Sequence, residues 1–156
     1  MQRKGEHRMD FRALAEFRYE IRRFLNFSEQ AARVAGVEPQ QHQALLAIKG
    51  LPAGRRATVG VLSERLQIRP HSGVELSVRL ENKRLIRRTR SLRDRREVLL
   101  SLTRRGEKLL RKLSLPHRAE LRSAGPTLLR ALGAAIHMDG DRSSGRKKSR
   151  RAGARN

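Results

Sequence analysis

Cysteine is absent, which excludes disulfides, thiolate metal sites, cysteine nucleophiles and thiol-based redox sensing. The absence fits a reducing compartment, and a cytoplasmic location is expected. Tryptophan is absent as well, and one Tyr with four Phe argue against a module that stacks several bases on aromatic platforms. No apolar run approaches the roughly 20 residues that span a bilayer. The opening Met1-Gln2-Arg3-Lys4-Gly5-Glu6-His7 leads into no apolar signal core, so neither secretion nor a membrane partner is expected. Acid is scarce too. Fifteen Asp and Glu stand against 37 Lys and Arg, a net charge of +22. Such an excess repels itself and points to polyanionic partners, nucleic acid first and an anionic membrane surface second. With 156 residues, 37% of them apolar, one domain is the default, and it needs no metal or disulfide to hold it together.

The apolar pattern reads as helices interrupted by one hairpin. Phe11, Leu14, Phe17, Ile21, Phe24, Leu25 and Ser28 recur at three- and four-residue steps, one face of a long helix over about 9–35 that Gly36 breaks. Glu38-Pro39-Gln40 opens a second helix with Leu45, Leu46 and Ile48 on its buried face. Thr58 caps a third, lined by Val59, Leu62 and Leu66. Gln67-Ile68-Arg69 is a turn, and Pro70 starts a fourth helix running to about 83, with Val74, Leu76, Val78 and Leu80 as its apolar residues. The period then changes: 85–90 reads as a strand, 91–96 as a charged tip and 97–102 as the returning strand. Thr103 caps a further helix through Leu109, Leu110, Leu113 and Leu115. Pro116 kinks or breaks it, and a last helix follows the Gly125-Pro126 break, so that about 117–138 is expected as a terminal helical segment. Residues 1–8 read as a basic arm and 139–156 as a disordered basic tail.

A helix-turn-helix followed by a two-stranded basic hairpin is a winged helix-turn-helix, mainly α with a small β wing. One helix suits the major groove and the hairpin suits the adjacent backbone or minor groove. The wing carries Lys83, Arg84, Arg87, Arg88, Arg90, Arg93, Arg95 and Arg96 against Asp94 alone. An ordinary solvated face mixes signs, and this one barely does.

Leu62-Ser63-Glu64-Arg65-Leu66, Arg79-Leu80-Glu81-Asn82-Lys83, Leu85-Ile86-Arg87-Arg88, Asp94-Arg95-Arg96 and Leu102-Thr103-x-x-Gly106 together resemble the MarR (multiple antibiotic resistance regulator) family of transcription regulators, over about 40–110. The resemblance implies a homodimer joined by its N- and C-terminal helices and double-stranded DNA as partner. It implies a palindromic operator, repression as the usual outcome, and small aromatic effectors held between the dimer helices and the DNA-binding lobe. It places Arg96 in the minor groove, where a planar cation suits a narrow A·T-rich tract. Asp94 either fixes that arginine or tightens the tip, or is an ordinary Asx-turn residue. Arg93 and Arg95 are expected on phosphates. The first turn of helix 70–83 offers His71, Ser72 and Glu75 to bases, and Arg69 and Arg79 complete the expected DNA contacts. Glu75 pairs equally well with Arg79 one turn on. Two positions depart from the family. Lys83-Arg84 stands where a charged residue is usually followed by Gly, and Glu75 stands where a basic residue is commoner.

Other chemistry is thin. The five histidines form no metal-spaced pair, and no metal or cofactor is expected. His42 falls where relatives place their effector cleft, although a lone helical histidine is more often structural. No phosphate-binding glycine loop, nucleophile elbow or paired carboxylate appears, so an enzyme is not expected. A non-regulatory binder of structured RNA or ribosomes remains the alternative. The tail run Arg146-Lys147-Lys148-Ser149-Arg150-Arg151 would serve either reading.

Overall fold

The computed structural model describes residues 11–137, so the expected arm over 1–8 and tail over 139–156 lie outside the described residues. In order come α1 (Phe11–Val34), α2 (Pro39–Lys49), α3 (Val59–Leu66), α4 (Pro70–Asn82), β1 (Ile86–Arg90), β2 (Val98–Leu102) and α5 (Arg104–Ile136). The chain divides into two compact units, Met1–Phe24 with Arg122–Asn156, and Leu25–Leu121. In the first, Ala13, Glu20 and Ala131 are buried, while Phe11, Tyr19, Leu129 and Ile136 are exposed. Glu20 is held by Arg23 one turn on, at 3.1 Å.

The second unit is built around Leu45, Leu76, Leu80, Ile86 and Leu113, with Leu62, Leu85, Leu100 and Leu110 completing the core. Thr58 caps α3 by accepting the Val61 N–H at 3.1 Å. Pro70 occupies the first turn of α4, where its missing N–H costs nothing. The antiparallel hairpin pairs Ile86 with Leu102 and Arg90 with Val98. The sequence reading did not anticipate a third partner. Thr58 bridges Leu99, and the Leu100 N–H donates to the Ala57 carbonyl at 2.7 Å. The segment entering α3 thereby fastens the wing to the helix pair.

Three expectations need correction. First, the chain over 104–136 is one helix, not two, despite Pro116 and Pro126. Each proline removes one backbone hydrogen bond, at a cost of about 3 kcal/mol in an isolated helix. Burial of Leu110 and Leu113 just before Pro116, and of Ala131 after Pro126, offsets that loss in the folded chain. Second, Leu46 is 53% exposed, because α2 turns Gln41, Ala44, Leu45 and Ile48 inward and Leu46 lies one step off that stripe. Third, Val74 is 45% exposed, while Leu76 and Leu80 alone carry α4 into the core.

Three helices end in the same way. After α1, α3 and α4 the residue at the left-handed position is Gly36, Gln67 and Arg84. In each case the next N–H reaches back six residues, Val37 to Ala32, Ile68 to Ser63 and Leu85 to Leu80, at 3.0–3.1 Å. These are Schellman endings, for which glycine is the unstrained choice. Arg84, at φ 57°, keeps the geometry without glycine. The α4–β1 turn therefore has the form that the family's glycine would allow. Arg84→Gly is expected to stabilise the fold by about 0.5–1 kcal/mol, because the left-handed penalty of an L side chain exceeds glycine's extra unfolded-state entropy. A thermal melt should show the midpoint rising by about 1–4 °C; a lower midpoint would mean that the Arg84 side chain is itself stabilising.

Candidate nucleic-acid interface

Helix α4 presents Arg69, His71, Glu75, Arg79 and Asn82 to solvent, at spacings that keep 71, 75, 79 and 82 near one face. Ser72 is half-buried. Val74 joins the exposed surface as its apolar member. Glu75 forms no ion pair with Arg79 among the described residues, so its carboxylate stays available as an acceptor. The opposite face is locked against α3. Gly73 is buried, and a Cβ there would overlap Ser63 Oγ, which is itself tied to the Val59 carbonyl at 2.9 Å. A bare backbone at this point lets the two helices of the motif approach closely.

At the wing tip Arg93, Asp94, Arg95 and Arg96 are all exposed. Asp94 Oδ1 accepts the backbone N–H of Arg96 at 2.9 Å, and the Asp94 carbonyl accepts the Glu97 N–H at 3.0 Å. This is an Asx turn, and it tightens the tip at the residue expected to enter the minor groove. Ser91, buried, shapes the turn from below: its Oγ accepts the N–H groups of Arg93 at 3.3 Å and Asp94 at 3.4 Å. Arg56 braces the same point, donating to Ser91 Oγ at 3.2 Å and to Glu97 Oε2 at 2.6 Å. Sequence reasoning missed Ser91, Arg56 and Glu97. A serine opening a turn is a readable local signal, but the pairing of Arg56 with Glu97 spans 41 residues and has none.

The eight wing cations do not share one role. Arg88 is half-buried, its backbone N–H donates to Glu81 Oε1 at 3.0 Å and its guanidinium lies 3.7 Å from Glu81 Oε2. That pair joins β1 to α4. Lys83 donates to Gln41 Oε1 at 2.9 Å. Arg87, Arg90, Arg93, Arg95 and Arg96 remain exposed.

The base of the wing gives Leu102-Thr103-x-x-Gly106 a physical meaning. Thr103 Oγ1 accepts the Gly106 N–H at 3.1 Å, capping α5, and donates to the Arg84 carbonyl at 2.7 Å. A Cβ on Gly106 would overlap the carbonyl oxygen of Leu85. The motif is thus a cap and a close approach that set α5 against the start of β1.

His42 sits apart from these surfaces. It is buried, with its ring 4.7 Å from that of His117. His117 Nδ1 lies 2.6 Å from the Leu113 carbonyl, which only accepts, so Nδ1 carries the proton; Nε2 lies 2.8 Å from Ser28 Oγ. Burial first, and the charge of His117 second, hold His42 below the ordinary imidazole range. The joint of α1, α2 and α5 is therefore packed around two neighbouring imidazoles. Among the described residues no group of histidines and acids could hold a metal ion, and no helix is long and apolar enough to cross a membrane.

A capped helix pair, a helix with an exposed polar face and a braced arginine tip define a winged helix-turn-helix protein. The sequence model of the MarR family matches residues 35–97. The chain carries a winged helix-turn-helix domain of the MarR family. Solved structures share the fold. AbsC, a MarR family transcriptional regulator from Streptomyces coelicolor, is 21% identical with a TM-score of 0.68, over 86% of this chain and 93% of its own. YusO from Bacillus subtilis is 22% identical with a TM-score of 0.59, over 88% and 100%. The F27L mutant of MepR from S. aureus, bound to an oligodeoxyribonucleotide, is 18% identical with a TM-score of 0.59, over 77% and 89%. No curated protein matches the chain.

Proposed function

We propose that the chain is a dimeric, sequence-specific DNA-binding transcription regulator, a repressor of a palindromic operator. The observation that supports it most is the wing tip, where Asp94, Ser91 and Arg56 hold four exposed residues that include three arginines. Bracing a tip this cationic is of use only against a polyanion. In this reading His71, Glu75 and Arg79 meet base edges with Ser72 at the margin, and Arg69, Arg93 and Arg95 meet phosphates. Arg96 enters the minor groove. The exposed apolar residues Phe11, Tyr19, Leu129 and Ile136 of the first unit are the surface a second copy would bury. A small aromatic effector at the α1–α2–α5 joint completes the proposal. Its contact with His42 requires that the His42–His117 packing open.

Selection of bound duplexes from random DNA, followed by titration at several salt concentrations, tests the reading. About 8–10 neutralised phosphates per dimer give a log–log salt slope of roughly −7 to −9. Half-sites should lie about one turn apart, ~34 Å. A flat selection, or duplex RNA outcompeting duplex DNA, would favour the non-regulatory alternative, since the A-form major groove is too narrow for a recognition helix.

A further inference from the structure

Two cavities lie side by side in the Leu25–Leu121 unit. The first, about 270 Å³, sets Lys83, Arg105, Lys108 and Lys112 around a floor of Val37, Leu85 and Leu109. The second, about 280 Å³, is walled by Phe27, Ala31 and Val34 of α1 and by Leu113 and Pro116 of α5. Ala35 and Lys112 belong to both, so the two form one groove, cationic at one end and apolar at the other. Each volume alone falls just short of the roughly 300–1,000 Å³ of small-molecule sites, and together they lie within it.

The charge is one-sided. No carboxylate lines either cavity. The acid on this stretch of α5, Glu107, is engaged by Lys49 at 2.6 Å and by Arg111 at 3.9 Å. Arg105, Lys108 and Lys112 fall at i, i+3 and i+7, one stripe of α5, and Leu109, Leu113 and Pro116 form the stripe beside it. Four like charges around one cavity repel until an anion joins them. Val34, 90% exposed, leaves a branched apolar side chain at the far end.

We propose that this groove binds a free single-chain anionic amphiphile, an acyl carboxylate. Its head sits among Lys83, Arg105, Lys108 and Lys112, and its chain runs along Ala31, Val34, Leu113 and Pro116. The elongated form decides the ligand class. A compact aromatic acid fills one cavity and leaves the other empty, whereas an acyl chain with a charged end uses both. The floor includes Lys83 and Leu85, so the ligand would touch the turn that joins α4 to the wing. The proposal does not rest on the DNA reading, because binding is measured without DNA.

The full chain is titrated calorimetrically with dodecanoate below its micelle concentration, against butyrate, benzoate, dodecyl maltoside and vesicles of anionic phospholipid. Saturable binding of dodecanoate, one per chain, is expected, with butyrate, benzoate and the uncharged maltoside at least tenfold weaker. Lys112→Glu and Val34→Glu, both at exposed side chains, should each weaken dodecanoate at least tenfold with circular dichroism unchanged. Arg118→Glu, exposed and outside the groove, should leave it unaltered. Absence of saturable binding, benzoate equal to dodecanoate, uptake by vesicles alone, or indifference to both groove variants would each overturn the proposal.

Discussion

Replacing Arg93, Arg95 and Arg96 together by alanine is expected to weaken binding to selected duplex DNA about a hundredfold at fixed salt, at roughly 1 kcal/mol per lost contact. The salt dependence separates their roles. Arg93 and Arg95 are assigned to phosphates, so their loss from both subunits should flatten the log–log slope by roughly 3–4. Arg96 is assigned to the minor groove. Arg96→Ala alone should relax an A·T preference flanking the core site and change the slope by about 1 at most per subunit. Filter binding or fluorescence anisotropy across a salt series measures both quantities. Equal affinity in the triple variant would remove the wing from the account. The fold should survive, since all three side chains are exposed and the turn is held by Asp94, Ser91 and backbone groups.

Gly106→Ala should have the largest effect on stability. The added methyl meets the Leu85 carbonyl oxygen and carbon, which are backbone atoms and cannot rotate away. Either α5 moves off the base of β1 or the Thr103–Leu85 contacts break. Alanine's better helix propensity returns about 1 kcal/mol. Overpacking against fixed backbone costs more, and a net loss of about 3 kcal/mol is expected. The midpoint of a thermal melt should fall by about 6–12 °C. Gly60→Ala is the control, because a Cβ there meets only Thr58 Oγ1, at 3.7 Å, an ordinary contact. Gly73→Ala should fall between the two, since the atom in its way is a serine hydroxyl that can turn. If Gly106→Ala and Gly60→Ala melt alike, the close approach of α5 to β1 is not a packing constraint.

The α3–α4 pair and the hairpin were legible in the sequence because each carries local punctuation: Thr58, Pro70, the change of period at Leu85, and Thr103. Punctuation misled at Pro116 and Pro126, where a local rule against proline was outweighed by burial of Leu110, Leu113 and Ala131, which sequence spacing alone does not weigh. The left-handed positions show the same limit. Gly36 announces its turn, whereas Gln67 and Arg84 adopt the same backbone without any composition signal. The exposed candidates on α4 followed from helical spacing. Val74 did not, because an apolar residue in an amphipathic helix reads as core until the neighbouring stripe, Leu76 and Leu80, is seen to fill it. The supports of the wing tip were the least readable part, since Arg56 acts on residues 35 and 41 positions away.

The Glu81–Arg88 pair has one more consequence. A carboxylate on α4 grips both the main chain and the side chain of β1, while Thr58 pins the second strand to the helix pair. Each subunit then behaves as a caliper with welded jaws: the offset between what the helix touches and what the hairpin touches is fixed in advance. Tolerance for operators of unequal spacing has to come from the hinge between two such calipers. Cutting the weld, as Glu81→Ala would do, should let a single subunit accept targets it now rejects.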